Sequence, residues 1–286
     1  MSLLSYDFMQ RALIAAALIG VIAPLIGIFL VQRRLALLGD GMGHVALTGV
    51  GLAFLVGSTP VPTALVVAAL GALVLEVIRA RSRTAGDLAL ALVFYGGIAG
   101  GVMLTALASG KSSTALNQYL FGSLSTVATE DIAWLVGASI LVILVLALFG
   151  REMFAMTLDP DVAHVQGIRT TRLGVLLTVL AAVTVVIGMR TVGLLLVSAI
   201  MIVPVAAAQQ IAGSFRGTAI GAVVLGLVCS VAGLATSFQL DVPPGPSIVL
   251  LALAAFVVAA LVAIPLRRRR NQHPHADSPT PVHDHV

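Results

Sequence analysis

The chain has 286 residues, 59% of them hydrophobic and 10% charged, with a mean hydropathy of +1.09, a formal charge of +4 and one cysteine. A soluble domain carries about 45–50% apolar and about 25% charged residues, so this composition excludes a water-soluble globule. The apolar runs are continuous rather than alternating, which excludes an outer-membrane β-barrel, and a lone Cys229 excludes a disulfide framework or a multi-cysteine metal site.

The expected fold class is all-α, a polytopic helical membrane protein. About 30 Å of hydrocarbon calls for spans of roughly 17–25 residues. Nine are predicted, at 10–31, 43–58, 61–79, 86–108, 131–150, 172–189, 191–212, 217–238 and 246–266. The second is short and glycine-rich, and the sixth and seventh are separated by little more than Met189 and Arg190, so eight or ten are the alternatives. The first span is not read as a cleavable signal, because Arg33 and Arg34 follow it and no basic stretch precedes it. That order places the N-terminus outside. With nine spans, 13 of the 16 Lys and Arg then fall on cytoplasmic segments, as the positive-inside rule requires, leaving Arg11, Lys111 and Arg190 outside. In a membrane protein such charges report orientation, and nucleic acid is not expected as a partner.

The connections carry further signals. Residues 109–130 form an outer connection whose Tyr119-Leu-Phe-Gly-Ser-Leu124 is apolar enough to lie at the interface or dip into the protein. In the inner loop 151–171, Asp159-Pro-Asp161 is a helix-start signal and Gly167 a stop. The chain divides into a transmembrane domain, 1–266, and a basic, Pro- and His-rich tail, 267–286, expected to be disordered. Glycines at GxxxG spacing, Gly96/Gly100, Gly97/Gly101 and Gly213/Gly217/Gly221, read as packing faces, within the chain or at a dimer seam.

Charged groups in hydrocarbon cost about 2.5–3.5 kcal/mol each on insertion scales, so the few present are the candidates for function. Asp40 and His44, at the start of the second span, are four apart and share a helix face. A carboxylate with an imidazole suits Zn²⁺, Mn²⁺ or Fe²⁺ better than Na⁺ or Ca²⁺. The run Gly39-Asp-Gly-Met-Gly-His44 also allows a partly unwound backbone. The competing reading has Asp40 capping the helix and His44 bonding a carbonyl. Glu76 stands three before Arg79 and reads as its structural ion-pair partner, and Asp87 as a cap. In the tail, His273, His275, His283 and His285 could gather a cation, which would favour zinc, or be inert. Pro204 interrupts the seventh span and offers a kink or hinge, or a packing role.

Two enzyme-like patterns fail. Gly110-Lys-Ser112 lacks the first glycine of a phosphate loop, with Thr105 in its place. Gly137-Ala-Ser139 is followed by Ile140 rather than glycine, and His164 lies in a loop and not in a later span.

Four stretches taken together resemble the zinc/manganese/iron class of ABC importer permeases: Arg33 to Phe54, Leu158 to Gly167, Leu196 to Ala208 and Asp241 to Val249. The likeness runs in order through about residues 8–266. It departs at Gly41, where the class has a small non-glycine residue, and at Thr48, where it has proline. The resemblance implies a vitamin-B12-importer-like permease with no enzyme activity and no permanently bound cofactor, in the bacterial plasma membrane. It implies as partners a second copy of the chain, two cytoplasmic ATP-binding subunits and an extracytoplasmic metal-binding protein. Asp40 and His44 would be pathway ligands, residues 158–168 with Asp159, Asp161 and Gly167 the coupling helix, and the Asp241-Val-Pro243-Pro244-Gly-Pro246 turn with the 109–130 connection the parts of outer closure. Zinc is the first expectation for cargo, with manganese or iron as alternatives. The competing functions are a permease for a metal chelate of siderophore or cobalamin type, a stand-alone secondary carrier, and an intramembrane enzyme.

Overall fold

The computed structural model describes residues 7–81, 86–108, 118–120, 122 and 127–271, the side chains of 80–87 and 265–271 excepted. Among the described residues there is no strand and nine helices are long and apolar enough to cross a membrane. They are α1 (Asp7–Gln32), α2 (Leu38–Val56), α3 (Pro60–Arg81), α4 (Gly86–Leu107), α5 (Thr129–Leu158), α7 (Thr170–Thr191), α8 (Leu194–Ile211), α9 (Phe215–Leu240) and α10 (Pro244–Asn271), with the short α6 (Pro160–Val165) between α5 and α7. Helices satisfy their own backbone, which is what hydrocarbon demands.

Local chemistry sets the ends. Pro60, Pro160 and Pro244 each occupy a first helical position, where the missing N–H costs nothing. Ser214 caps α9 by accepting from the Gly217 N–H at 3.1 Å. Gly57, at φ 74°, closes α2 in the left-handed region that favours glycine. The α1–α2 turn does the same with a non-glycine residue, Arg34 at φ 59°, while the Leu35 N–H reaches the Leu30 carbonyl at 2.8 Å.

α7, α1 and α2 are the most enclosed spans and α10 the least. α2 packs on α4 and α3, α1 on α9 and α8, α3 on α7, and α8 on α10. Close approach uses small residues. α1 and α9 cross at Gly20 and Gly226, where a Cβ on Gly20 would stand 2.8 Å from the Gly226 carbonyl oxygen. Of the spaced glycines, Gly97, Gly100 and Gly101 face α2 within the chain, whereas Gly96 faces open space. Gly221 meets Ala208 of α8.

Four expectations change. The second helix begins at Leu38, five residues before the predicted start at 43, so Asp40 lies inside it. The run 39–44 is regular helix and not unwound, because its glycines are packing surfaces: Gly41 faces Leu90, Gly39 faces Met201, and Gly43 abuts Leu194. α5 runs eight residues past the predicted end, to Leu158, its far end held by the buried Met153 and Met156. α10 continues through Arg267–Arg270 to Asn271, so the first residues assigned to the tail are helical. The remaining tail, with His273, His275, His283 and His285, lies outside the described residues, as does Gly110-Lys-Ser112.

Candidate functional site

α2 is wrapped by α3, α4, α7 and α8, and its glycines consume the faces that touch them. One partly exposed strip is left, and it carries Asp40 and His44. His44 Nε2 lies 3.9 Å from Asp40 Oδ1, with side-chain exposures of 16% and 30%. The imidazole stands edge-on to Phe94 of α4, ring centroids 4.9 Å apart, which orients the ring without using its nitrogens. Thr48, one turn on, donates to the Gly97 carbonyl at 2.8 Å and holds α2 against α4.

The capping alternative fails. The residue before α2 is Leu37, no side chain caps that end, and neither Asp40 nor His44 makes a side-chain hydrogen bond among the described residues. An acceptor carboxylate and an imidazole are the kinds of group that ligate a transition-metal cation. Among the described residues no group of three His, Cys, Asp or Glu comes together, so Asp40 and His44 stand there as a pair.

Of the connection between α4 and α5, residues 118–120, 122 and 127–128 are described. Gly122, at φ 73°, lies on the α7–α8 junction, where a Cβ would come 2.5 Å from the Val192 carbonyl carbon and 2.8 Å from the Gly193 nitrogen. The next residue, Leu194, is the side chain against Gly43. The connection therefore reaches, through the start of α8, the helix that carries His44. Beside it an ion pair absent from the sequence reading joins α5 to α7: Arg190 Nε to Asp131 Oδ1 at 2.8 Å. Asp131 Oδ2 also accepts from the Ala128 N–H at 3.0 Å. Tyr119 packs nearby, and burial pushes its hydroxyl up from the ordinary tyrosine range, against the lowering effect of Arg190. A carboxylate in the first turn of one span and a cation in the last turn of another were visible as residues, but nothing in the sequence paired them.

At the opposite end Glu76 is buried and pairs with Arg79 at 2.8 Å, as expected, and it also accepts from Thr178 of α7 at 2.8 Å. The side chain of Asp87 lies outside the described residues. α6 begins at the expected signal: Asp159 accepts from the N–H groups of Asp161 at 2.9 Å and Val162 at 3.0 Å. Gly167, at φ 84°, follows its end. His164 is within α6 rather than in a loop. α6 presents apolar side chains outward, with Val165 88% and Val162 51% exposed. Pro204 is buried in α8, Asp241 caps α9 at φ 52°, and Pro243 leads into Pro244 at the start of α10. Ser139 is buried and its hydroxyl donates to the Leu135 carbonyl at 2.7 Å.

The sequence model of the ABC 3 transport family matches residues 5–263. The chain belongs to the ABC 3 transport family. It is 32% identical over 268 residues to the manganese import system permease protein ScaB of Streptococcus parasanguinis, covering 94% of each chain. It is 33% identical to the manganese transport system membrane protein MntC of Halalkalibacterium halodurans, covering 90% of this chain and 88% of that one. Among solved structures it is similar to PsaBC from Streptococcus pneumoniae in complex with Fab, with TM-score 0.83, 30% identity, and coverage of 94% and 96%. An inward-facing putative metal-chelate type ABC transporter shares the fold at 15% identity and TM-score 0.74. This ABC 3 member is therefore a permease, a transport component and not an enzyme.

Proposed function

We propose that this permease imports a divalent transition metal across the bacterial plasma membrane, with Asp40 and His44 as its pathway ligands. The observation that carries the reading is the pair itself: a carboxylate and an imidazole 3.9 Å apart, neither side chain with a hydrogen-bond partner among the described residues. Manganese replaces zinc as the first candidate, because relatives are named manganese permeases. Two ligands from one chain leave a cation under-coordinated. A second copy across a two-fold axis would bring a second Asp40 and His44, and an oxygen- and nitrogen-rich set completed by water suits Mn²⁺.

The N-terminus is outside and the C-terminus cytoplasmic, so α6 faces the cytoplasm and its exposed Val162 and Val165 seat on the ATP-binding subunits. An outer metal-binding protein delivers the ion on the side of the α4–α5 connection. α8 touches α2 at Gly39 and Gly43 and contains Pro204, so bending there shifts the neighbours of the ligand strip. The turn from Asp241 through Pro243 and Pro244 and the Gly122 stretch close the outer side.

The test is uptake of radiolabelled manganese by the importer reconstituted with its ATP-binding subunits, with zinc and iron as competitors. Asp40→Ala and His44→Ala are expected to abolish uptake while the complex assembles. Unchanged uptake in both variants would return the function to a chelate carrier, whose pore needs no ionisable ligand.

A further inference from the structure

Beneath α2, a small cavity of about 160 Å³ opens between the α1–α2 turn, α3, the α5–α6 junction and α7. Its charged groups are Arg33, Glu76 and Arg79, its hydroxyls Thr170 and Thr171, and its apolar wall Met156 and Pro160. Among the described residues two guanidinium groups meet one carboxylate, so these three side chains together carry one net positive charge. Glu76 Oε1 is already committed, accepting from Arg79 Nη1 and from Thr178 Oγ1, both at 2.8 Å. Arg33 Nη1 and Arg79 Nε are buried and have no hydrogen-bond acceptor among the described residues. Burial pushes the Arg33 guanidinium down from its ordinary range, with nearby Glu76 opposing and Arg79 reinforcing the effect. Buried donors are almost always paired, and an unpaired buried charge is the costliest exception. The missing partner is therefore an acceptor that brings negative charge.

We propose that this cavity is an oxyanion site that takes a single phosphate group, supplied either by inorganic phosphate or by the headgroup of an anionic lipid. A planar guanidinium with free N–H groups matches the spacing of phosphate oxygens, and two threonine hydroxyls add donors of adaptable direction. Drug-sized ligands occupy about 300–1,000 Å³, so the cavity admits one small anion and little else. A phosphate there would join Arg33, on the turn that leads into Asp40, to Arg79 of α3 and to the hydroxyls of Thr170 and Thr171 at the start of α7. The turn before the ligand-bearing helix and the start of α7 would then share one ligand.

The experiment uses the full-length chain in phosphatidylcholine nanodiscs at constant ionic strength, following the thermal-unfolding midpoint against inorganic phosphate. The wild-type midpoint is expected to rise saturably. Arg33→Gln should raise the half-saturating concentration about ten-fold or more, the loss of a charge-assisted hydrogen bond. Glu76→Gln should lower it, because removing that carboxylate leaves both guanidinium groups for the anion. Nanodiscs of phosphatidylglycerol distinguish the sources: a lipid headgroup raises the midpoint without added phosphate and abolishes the response to it, whereas a free-phosphate site responds in both lipids. The proposal is overturned if neither phosphate nor phosphatidylglycerol moves the wild-type midpoint, or if Arg33→Gln saturates as wild type does. Should Arg33→Gln fail to fold, Glu76→Gln decides: an unchanged or weaker phosphate response in that variant overturns the site.

Discussion

Gly96 and Gly97 are sequence neighbours on α4 with opposite surroundings, which makes them a controlled test of how the ligand strip is held. A Cβ on Gly97 would stand 2.7 Å from the Val45 nitrogen and 2.8 Å from the His44 carbonyl carbon, while one on Gly96 meets nothing within 4 Å. The atoms at Gly97 are backbone and cannot rotate aside, so Gly97→Ala must push α2 from α4 at the residue that carries the imidazole. Overpacking of this kind costs about 1–3 kcal/mol. Both substitutions also gain the same helix propensity, about 1 kcal/mol over glycine. That gain cancels in the comparison, so Gly97→Ala should be about 1–3 kcal/mol less stable than Gly96→Ala, and Gly96→Ala should match or exceed wild type. Unfolding of the two purified variants in micelles measures the difference. Manganese binding provides a second readout, expected to weaken about 10–100-fold in Gly97→Ala, as when a ligand loses its supporting contacts. Equal stability of the two variants would refute the claim that α4 presses on α2 at this residue.

Other perturbations test separate parts of the structure. Arg190→Gln strands the buried Asp131 carboxylate; because Arg190 is itself 39% exposed, the cost should fall at or below the low end of the roughly 3–5 kcal/mol for breaking a buried pair. A double-mutant cycle with Asp131→Asn measures the coupling, and zero coupling energy would dismiss the pair as incidental. Val165→Asp, on the most exposed apolar residue of α6, should leave the unfolding midpoint of the isolated chain unchanged and abolish ATP hydrolysis coupled to uptake; normal coupling would remove α6 from the docking surface. Asp159→Ala removes an acceptor used by two N–H groups and should cost about 1 kcal/mol. Hydrogen exchange at Asp161 and Val162 reads it directly, and unchanged protection there would contradict the capping role.

Much of the fold was legible because hydrocarbon imposes one rule on every span. Spans 61–79, 172–189 and 217–238 were read within two residues at each end, since length, continuous apolarity and flanking charge all agree there. The errors fall where a helix leaves the membrane. α5 was ended at Gly150 and α10 near Leu266 because charged residues follow, yet Arg151 and Glu152 continue the helix on an exposed face. Hydropathy marks where lipid stops, not where i→i−4 hydrogen bonding stops. The same limit hid the Asp131–Arg190 pair and the uncompensated charge at Arg33, which depend on which helix ends meet in space.

The site was legible as a pair of residues and misread as a backbone. Alternating glycines around Asp40 suggested unwinding, since glycine tolerates irregular conformations. In the folded chain they do the opposite work: Gly39, Gly41 and Gly43 let Met201, Leu90 and Leu194 approach so closely that α2 stays helical along its length. Regular helix is what keeps Asp40 and His44 on one face, because four residues of α-helix return a side chain to nearly the same direction. An unwound segment would have scattered them and exposed unsatisfied carbonyls. Small residues therefore shape the site indirectly: they bury every other face of α2, leave one polar strip uncovered, and tie its geometry to α8. Since that helix sets Leu194 against Gly43 and Met201 against Gly39, a movement of α8 cannot leave the strip that carries Asp40 and His44 undisturbed.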